Sequence, residues 1–119
     1  MLGIGPIDID RLPEIRRRLD RLIRRILEDL PARRVILHGS FATGRVHQGS
    51  DIDLIVVADF TERFFDRVDR IHPLNADRLP IQVICYTPGE FDRMWSERNA
   101  FLRQAVTAGH LYGEPIEGG

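Results

Sequence analysis

The sequence predicts an α/β layer fold built on one small sheet. Three observations carry that expectation. The chain opens with a long amphipathic segment of helical period, and Ile52–Ala58 is an almost unbroken apolar run, as in a strand covered on both faces. The remaining segments alternate to give the order helix, two strands, helix, strand, two helices. At 119 residues the chain is read as a single domain, 1–119, with residues 1–9 and 114–119 as loose termini.

The first helix follows Asp10. Leu12, Ile15, Leu19, Leu22, Ile23, Ile26, Leu27 and Leu30 recur at three- and four-residue intervals and form one apolar stripe. Asp10 and Glu14 place carboxylates at its positive end, Pro13 fits a first turn, and Pro31 stops it. The opposite face carries Arg16, Arg17, Arg18, Arg21, Arg24 and Arg25, which reads either as a solvated face or as a docking surface for an acidic partner. Val35–Leu37 is a short strand ending at Gly39-Ser40. Thr61 is expected to cap a helix whose inner side is Phe64, Phe65, Val68 and Ile71. A third strand spans Ile81–Tyr86. Thr87-Pro88-Gly89-Glu90 is a capping box with proline at the first helical position, so a helix starts there with Phe91, Met94 and Trp95 on its apolar side. Phe101, Leu102, Ala105 and Val106 face the core from the last helix, and Gly109 ends it.

Composition narrows the functional classes. Hydrophobic residues make up 43% and charged residues 29%, which suits a folded chain. The 17 basic residues against 18 acidic ones leave a net charge of −1, which disfavours tracking along nucleic acid. All 17 are arginine, so a lysine nucleophile or a phosphate-binding lysine is excluded. Cys85 is the only cysteine, which rules out an intrachain disulfide and a cysteine zinc cluster; its apolar surroundings suggest a buried, inert thiol. No apolar stretch approaches the roughly 20 residues that span a bilayer, and residues 1–10 do not resemble a signal peptide. The expectation is a cytoplasmic protein without membrane contact.

The chemistry is concentrated between Gly39 and Leu54. Gly39-Ser40 ends a strand and opens a turn whose backbone amides, with the Ser40 hydroxyl, favour an anion such as phosphate. Ten residues separate Ser40 from Asp51. Asp51 and Asp53 alternate along a strand, so both carboxylates project from one face, roughly 6.5–7 Å apart at Cα. Two like charges aimed together at the head of an apolar strand call for a cation, and oxygen donors favour Mg²⁺ or Mn²⁺. Asp51 capping the turn, with Asp53 solvated at a strand end, is the plainer account of an isolated Asp-x-Asp. The upstream Gly-Ser turn argues against it here.

Gly39-Ser40, ten residues, then Asp51-Ile52-Asp53 resembles the signature of minimal nucleotidyltransferases of the DNA polymerase beta superfamily. The resemblance runs from about Arg33 to Tyr112 and takes in the Gly44 turn, the Ser50-Asp51 pair, the Ile81–Tyr86 strand and the Gly109-to-Tyr112 ending. It implies a small mixed sheet packed with helices. It also implies a nucleoside triphosphate, ATP, bound through Gly39, Ser40, Arg45 and Ser50. Asp51 and Asp53 would be the catalytic and Mg²⁺-holding residues in transfer of NMP, specifically AMP, to a hydroxyl. Stand-alone members of this size are often antitoxins paired with a HEPN-type helical toxin, so such a partner is implied. A homo-oligomer stays open, and a drug-modifying enzyme would need a further helical domain.

Two departures qualify the match. The resemblance places a third carboxylate on the next strand, where this chain has Gln82, and no Asp or Glu occurs in Leu79–Pro88. An amide neither holds a second cation firmly nor serves as a base. The alternative expectation is therefore a catalytically weak or inactive antitoxin-like interaction subunit that keeps the fold. Arginine is common in relatives at the positions of Phe41 or Thr43, and only Arg45 is near enough to replace it. His38 is read as a strand-end histidine with a satisfied hydrogen bond, or as a contact to base or phosphate. His47 lies in the loop beside the metal face, within reach of a phosphate; His72 and His110 read as structural or surface residues; Tyr86 and Trp95 read as core or near-core aromatics, with a nucleobase platform as the less favoured alternative.

Overall fold

A computed structural model describes residues 11–117. Helix α1 (Leu12–Asp29) is followed by strand β1 (Arg34–His38), the single turn α2 (Ser40–Thr43) and strand β2 (Ile52–Val57). Two 3-10 segments, Phe64–Arg70 and His72–Leu74, lead to strand β3 (Ile81–Tyr86). Helices α3 (Pro88–Ser96) and α4 (Ala100–Ala108) and a short strand β4 (His110–Gly113) follow. The sheet order is β3-β2-β1-β4. β1 runs antiparallel to β2 and β4, whereas β2 and β3 are parallel, so the sheet is mixed.

Period-two alternation gives the sheet two buried faces. Val35, Leu37, Ile52, Leu54 and Val56 meet Ile15, Leu19, Leu22, Ile23 and Ile26 of α1. Ile36, Ile55 and Val57 meet Phe91 and Trp95 of α3 and Leu102 and Ala105 of α4. β2 is buried on both sides as its apolar run predicts, and only Asp53 interrupts the burial. Cys85 is buried, and burial pushes its thiol up to about 12, so the inert reading holds. The Thr87–Glu90 capping box forms as expected.

Asp10 lies outside the described residues. Arg11 is the N-cap of α1 and gives no side-chain cap; Glu14 instead bonds the guanidinium groups of Arg11 and Arg18. The arginine face is neither plainly solvated nor plainly a docking surface. Arg16 donates to the Phe41 carbonyl at 3.4 Å and lies 5.4 Å from the centre of its ring; Arg25 donates to the Leu74 carbonyl at 3.4 Å, and Arg21 faces Asp77 at 3.7 Å. Much of the run fastens α1 to the turn after β1 and to the segment before β3.

The expected helix after Thr61 is the main correction. The segment is 3-10 over Phe64–Arg70 with Arg63, not Thr61, at its N-cap. Ile71 is buried as expected, but Phe65 is 86% exposed and Phe64 41%. The buried side chain here is instead Arg67, 7% exposed. It donates to the carbonyls of Glu62 and Cys85, both at 3.1 Å, and to both Glu90 oxygens, at 2.6 and 3.2 Å. One guanidinium thus organises the crossover, and a tighter 3-10 winding brings its backbone within reach. The second correction is β4, which takes the Leu111 and Tyr112 backbones into the sheet where no strand was expected; four residues are too few to show alternation. Beyond it, Arg34 donates to the carbonyls of Glu114 and Pro115, and Ile116 packs on the α3–α4 core.

Substituting Arg67→Met should cost about 3 kcal/mol, because two carbonyls and a carboxylate lose their donor together. Chemical denaturation measures this, and a loss below about 1 kcal/mol would count against the clamp. The Arg67 hydrogen bond also holds the Glu90 carboxyl below its ordinary range. Its stabilisation is therefore present above the ordinary carboxylate pKa and is lost as pH falls through the depressed value. Arg67→Met should remove this part of the acid sensitivity.

Candidate functional site

The site forms where β1 ends and β2 and β3 begin. His38 pairs with Asp53 across β1–β2, and Asp53 pairs with Gln82 across β2–β3. Strand parity puts Asp53 on the face of Ile55 and Val57, so Gln82, Asp53 and His38 form one lateral row on the α3–α4 face. Ile52 N–H donates to the Pro80 carbonyl at 2.8 Å, fixing the register at this end of β3.

The turn after β1 lies against the same carboxylate. Gly39 has φ +73°, and a Cβ there would overlap Asp53 Oδ2. The N–H groups of Ala42 and Thr43 both donate to the Gly39 carbonyl at 3.1 Å, closing α2, and Arg45 N–H donates to the Ser40 carbonyl at 3.1 Å. Phe41 is fully buried under the turn and anchors it. The loop that returns to β2 is braced by Ser50, 5% exposed: its hydroxyl accepts from His47 N–H and its own N–H donates to the His47 carbonyl, both at 3.0 Å. That brace delivers Asp51 to the strand head. The Arg45 side chain is exposed and, among the described residues, has no hydrogen-bond or ion-pair partner.

Electrostatics set Asp53 apart from an ordinary surface carboxylate. Burial raises its pKa, Asp51 adds to the rise, and His38 opposes it. Burial lowers the His38 pKa, against the pull of Asp53. Gln82 Nε2 donates to Asp51 Oδ2 at 3.0 Å, so the amide presents its nitrogen to the carboxylate. A carboxylate at position 82 would add repulsion here; the amide relieves it. Among the described residues, no three His, Cys, Asp or Glu side chains converge as a metal-binding group. The chain's own donors are thus two carboxylates, one partly desolvated, beside a turn without a side chain. Such an oxygen set fits a hard divalent cation that takes its other ligands from a phosphate ligand.

Residues 19–106 match the family model of the nucleotidyltransferase domain. The chain belongs to the nucleotidyltransferase domain family. No curated protein matches it. Among solved structures, the chain is similar to a candidate nucleotidyltransferase from Sulfolobus solfataricus, with a TM-score of 0.55 and 24% identity over 76% of this chain and 85% of that one. That likeness supports the fold, a mixed sheet packed with helices. A nucleotidyltransferase domain takes a nucleoside triphosphate, generally with a divalent metal, and its reaction is nucleotidyl transfer. Among the described residues no helix is long and apolar enough to cross a membrane.

In this nucleotidyltransferase domain Gly39, Ser40, Ser50, Asp51 and Asp53 come together at one end of the sheet, and Gln82 joins them in the expected register. Trp95 and Tyr86 are core and near-core aromatics, and Glu90 is structural. Two readings need correction. Among the described residues the His38 ring has no hydrogen-bond partner; it packs edge-on against Phe101, ring centres 5.6 Å apart. Phe101 is 42% exposed at the site instead of lying in the core. Helical periodicity assigned Phe101 inward because Leu102 and Ala105 beside it do face the core.

Proposed function

We propose that the protein binds ATP with Mg²⁺ at Gly39, Ser40, Asp51 and Asp53 and transfers AMP to a hydroxyl on a HEPN-type helical partner protein. The observation that carries this reading is the approach of Gly39 to Asp53: one ligand can touch the phosphate-favouring turn and the metal-favouring carboxylate at once. In the reaction the acceptor hydroxyl gives up its proton to solvent as its oxygen bonds to the α-phosphorus, the α–β phosphoanhydride bond breaks, and pyrophosphate leaves. Asp51 and Asp53 would hold the metal, which would supply charge neutralisation for the phosphates. Gly39 leaves room for those phosphates, and the Ser40 hydroxyl would donate to a phosphate oxygen. Ser50 keeps Asp51 in place, and the exposed Arg45 guanidinium is the arginine nearest in sequence to the turn.

Calorimetry with Mg²⁺ and ATP tests the placement. Asp53→Asn should weaken binding at least tenfold. Asp77→Asn, which removes a 3.7 Å surface ion pair with Arg21, should not. Equal losses from both would overturn the site. Co-expression with the neighbouring open reading frame should yield a co-purifying pair; a protein that stays alone beside a harmless neighbour would exclude the partner.

One observation favours a second reading. The Gln82 amide occupies an Asp51 oxygen and offers no base to an attacking hydroxyl. On this reading the protein binds nucleotide and transfers slowly or not at all, acting as an antitoxin-like subunit. Single-turnover transfer from labelled ATP separates the two.

A further inference from the structure

A second recess opens directly beside Gly39, on the side away from Gln82. It is an open cleft of about 250 Å³ between the turn after β1 and helix α4, and His38, Gly39, Thr43, Phe101 and Gln104 contribute to its walls. Among the described residues no Arg, Asp or Glu lines it, so its described walls match neither a phosphate nor a cation. The Thr43 hydroxyl donates to the Ser40 carbonyl at 3.5 Å, whereas among the described residues neither the His38 ring nor the Gln104 amide has a hydrogen-bond partner. Phe101 supplies a half-exposed aromatic face, held at a fixed angle by the His38 ring, 83° from coplanar. Whole drug-sized ligands occupy clefts of about 300–1,000 Å³, so this one has room for one flat heterocycle rather than a complete nucleotide.

We propose that this cleft is the nucleobase subsite and that Gln104 makes it select adenine over guanine. The proposal rests on the triphosphate reading of the adjoining turn and specifies where the base of that nucleotide goes. A glutamine amide offers one donor and one acceptor in a fixed fork. Adenine presents the complementary pair at its N6 amino group and N7, whereas the same edge of guanine presents two acceptors, which suit arginine. Phe101 adds stacking, which favours purines by their area and is indifferent to which purine is bound. The two residues thus divide the work: Phe101 supplies affinity for a base, and Gln104 discriminates between bases. Since Gly39 borders both the cleft and Asp53, a base seated here stays within a nucleotide's length of the carboxylates.

The test compares ATP, GTP and inorganic tripolyphosphate, each with Mg²⁺, by calorimetry on the full chain. Wild type should bind ATP about tenfold more tightly than GTP, and both more tightly than tripolyphosphate. Gln104→Leu, of similar size, should abolish the ATP-over-GTP preference and leave tripolyphosphate affinity unchanged. Phe101→Leu should weaken ATP and GTP by the same factor, again sparing tripolyphosphate. If wild type binds tripolyphosphate as tightly as ATP, or if Gln104→Leu keeps the ATP-over-GTP ratio, the subsite is overturned while the triphosphate site stands. If wild type binds none of the three, the triphosphate site itself is wrong and the subsite falls with it.

Discussion

Gly39→Ala is expected to remove nearly all affinity for Mg²⁺–ATP and to lower stability by about 1–3 kcal/mol. The two losses have different origins. The backbone at Gly39 is left-handed, φ +73°, which any L side chain finds strained. The added methyl would also overlap Asp53 Oδ2, so the carboxylate must swing out of the row it shares with Gln82 and His38. Gly49→Ala separates the effects. Gly49 has φ +86° with open space around its absent Cβ, so alanine there brings the strain without the collision. Thermal unfolding should show comparable destabilisation in the two variants, and calorimetry should show lost affinity only in Gly39→Ala. Equal losses of affinity would mean that the contact with Asp53 is incidental.

Gln82→Asp should raise the AMP-transfer rate at limiting Mg²⁺ at least tenfold. The substitution replaces a donor to Asp51 with a third negative charge facing two others. Without metal the variant should therefore melt below wild type. Adding Mg²⁺ should raise its melting temperature more than that of wild type, since a cation bound only by the folded state stabilises it. Gln82→Ala, which removes the amide without adding charge, should give no gain in rate. Brisk transfer by wild type with no improvement in Gln82→Asp would mean that another group, supplied by the acceptor or its carrier, takes the proton.

Most of the fold was legible because its elements carry strong local signals. The period of α1, the double-faced burial of β2 and the capping box before α3 each state their structure within a few residues. The candidate site could be drawn from the sequence for a different reason: Gly-Ser and Asp-x-Asp lie on consecutive strands of an antiparallel pair, so the motif holds both of its proposed sides. Pairing of β3 beside β2 brought Gln82 in by the alternation already read from Asp51 and Asp53. What escaped was non-local. The 3-10 crossover depends on Arg67 reaching Cys85 and Glu90, partners 18 and 23 residues away. β4 exists because β1 offers it an edge, and the exposure of Phe101 depends on where α4 stops covering the sheet. No local window contains any of these facts.

The brace between His47 and Ser50 also separates two kinds of sequence change. Residues 43–45 and 47–49 are exposed, and Ser50 alone of the returning loop is buried. An insertion ahead of the brace would lengthen a solvent loop and leave the residues after Ser50 in phase, at a small entropic cost. One extra residue between Asp51 and Asp53 would do the opposite. It would turn the second carboxylate through the sheet toward the apolar face of α1, because strand parity reverses at each step. Natural length variation in this family should therefore gather between Gly44 and His47 and be absent from Ser50 to Leu54, a boundary set by geometry before chemistry exerts any selection.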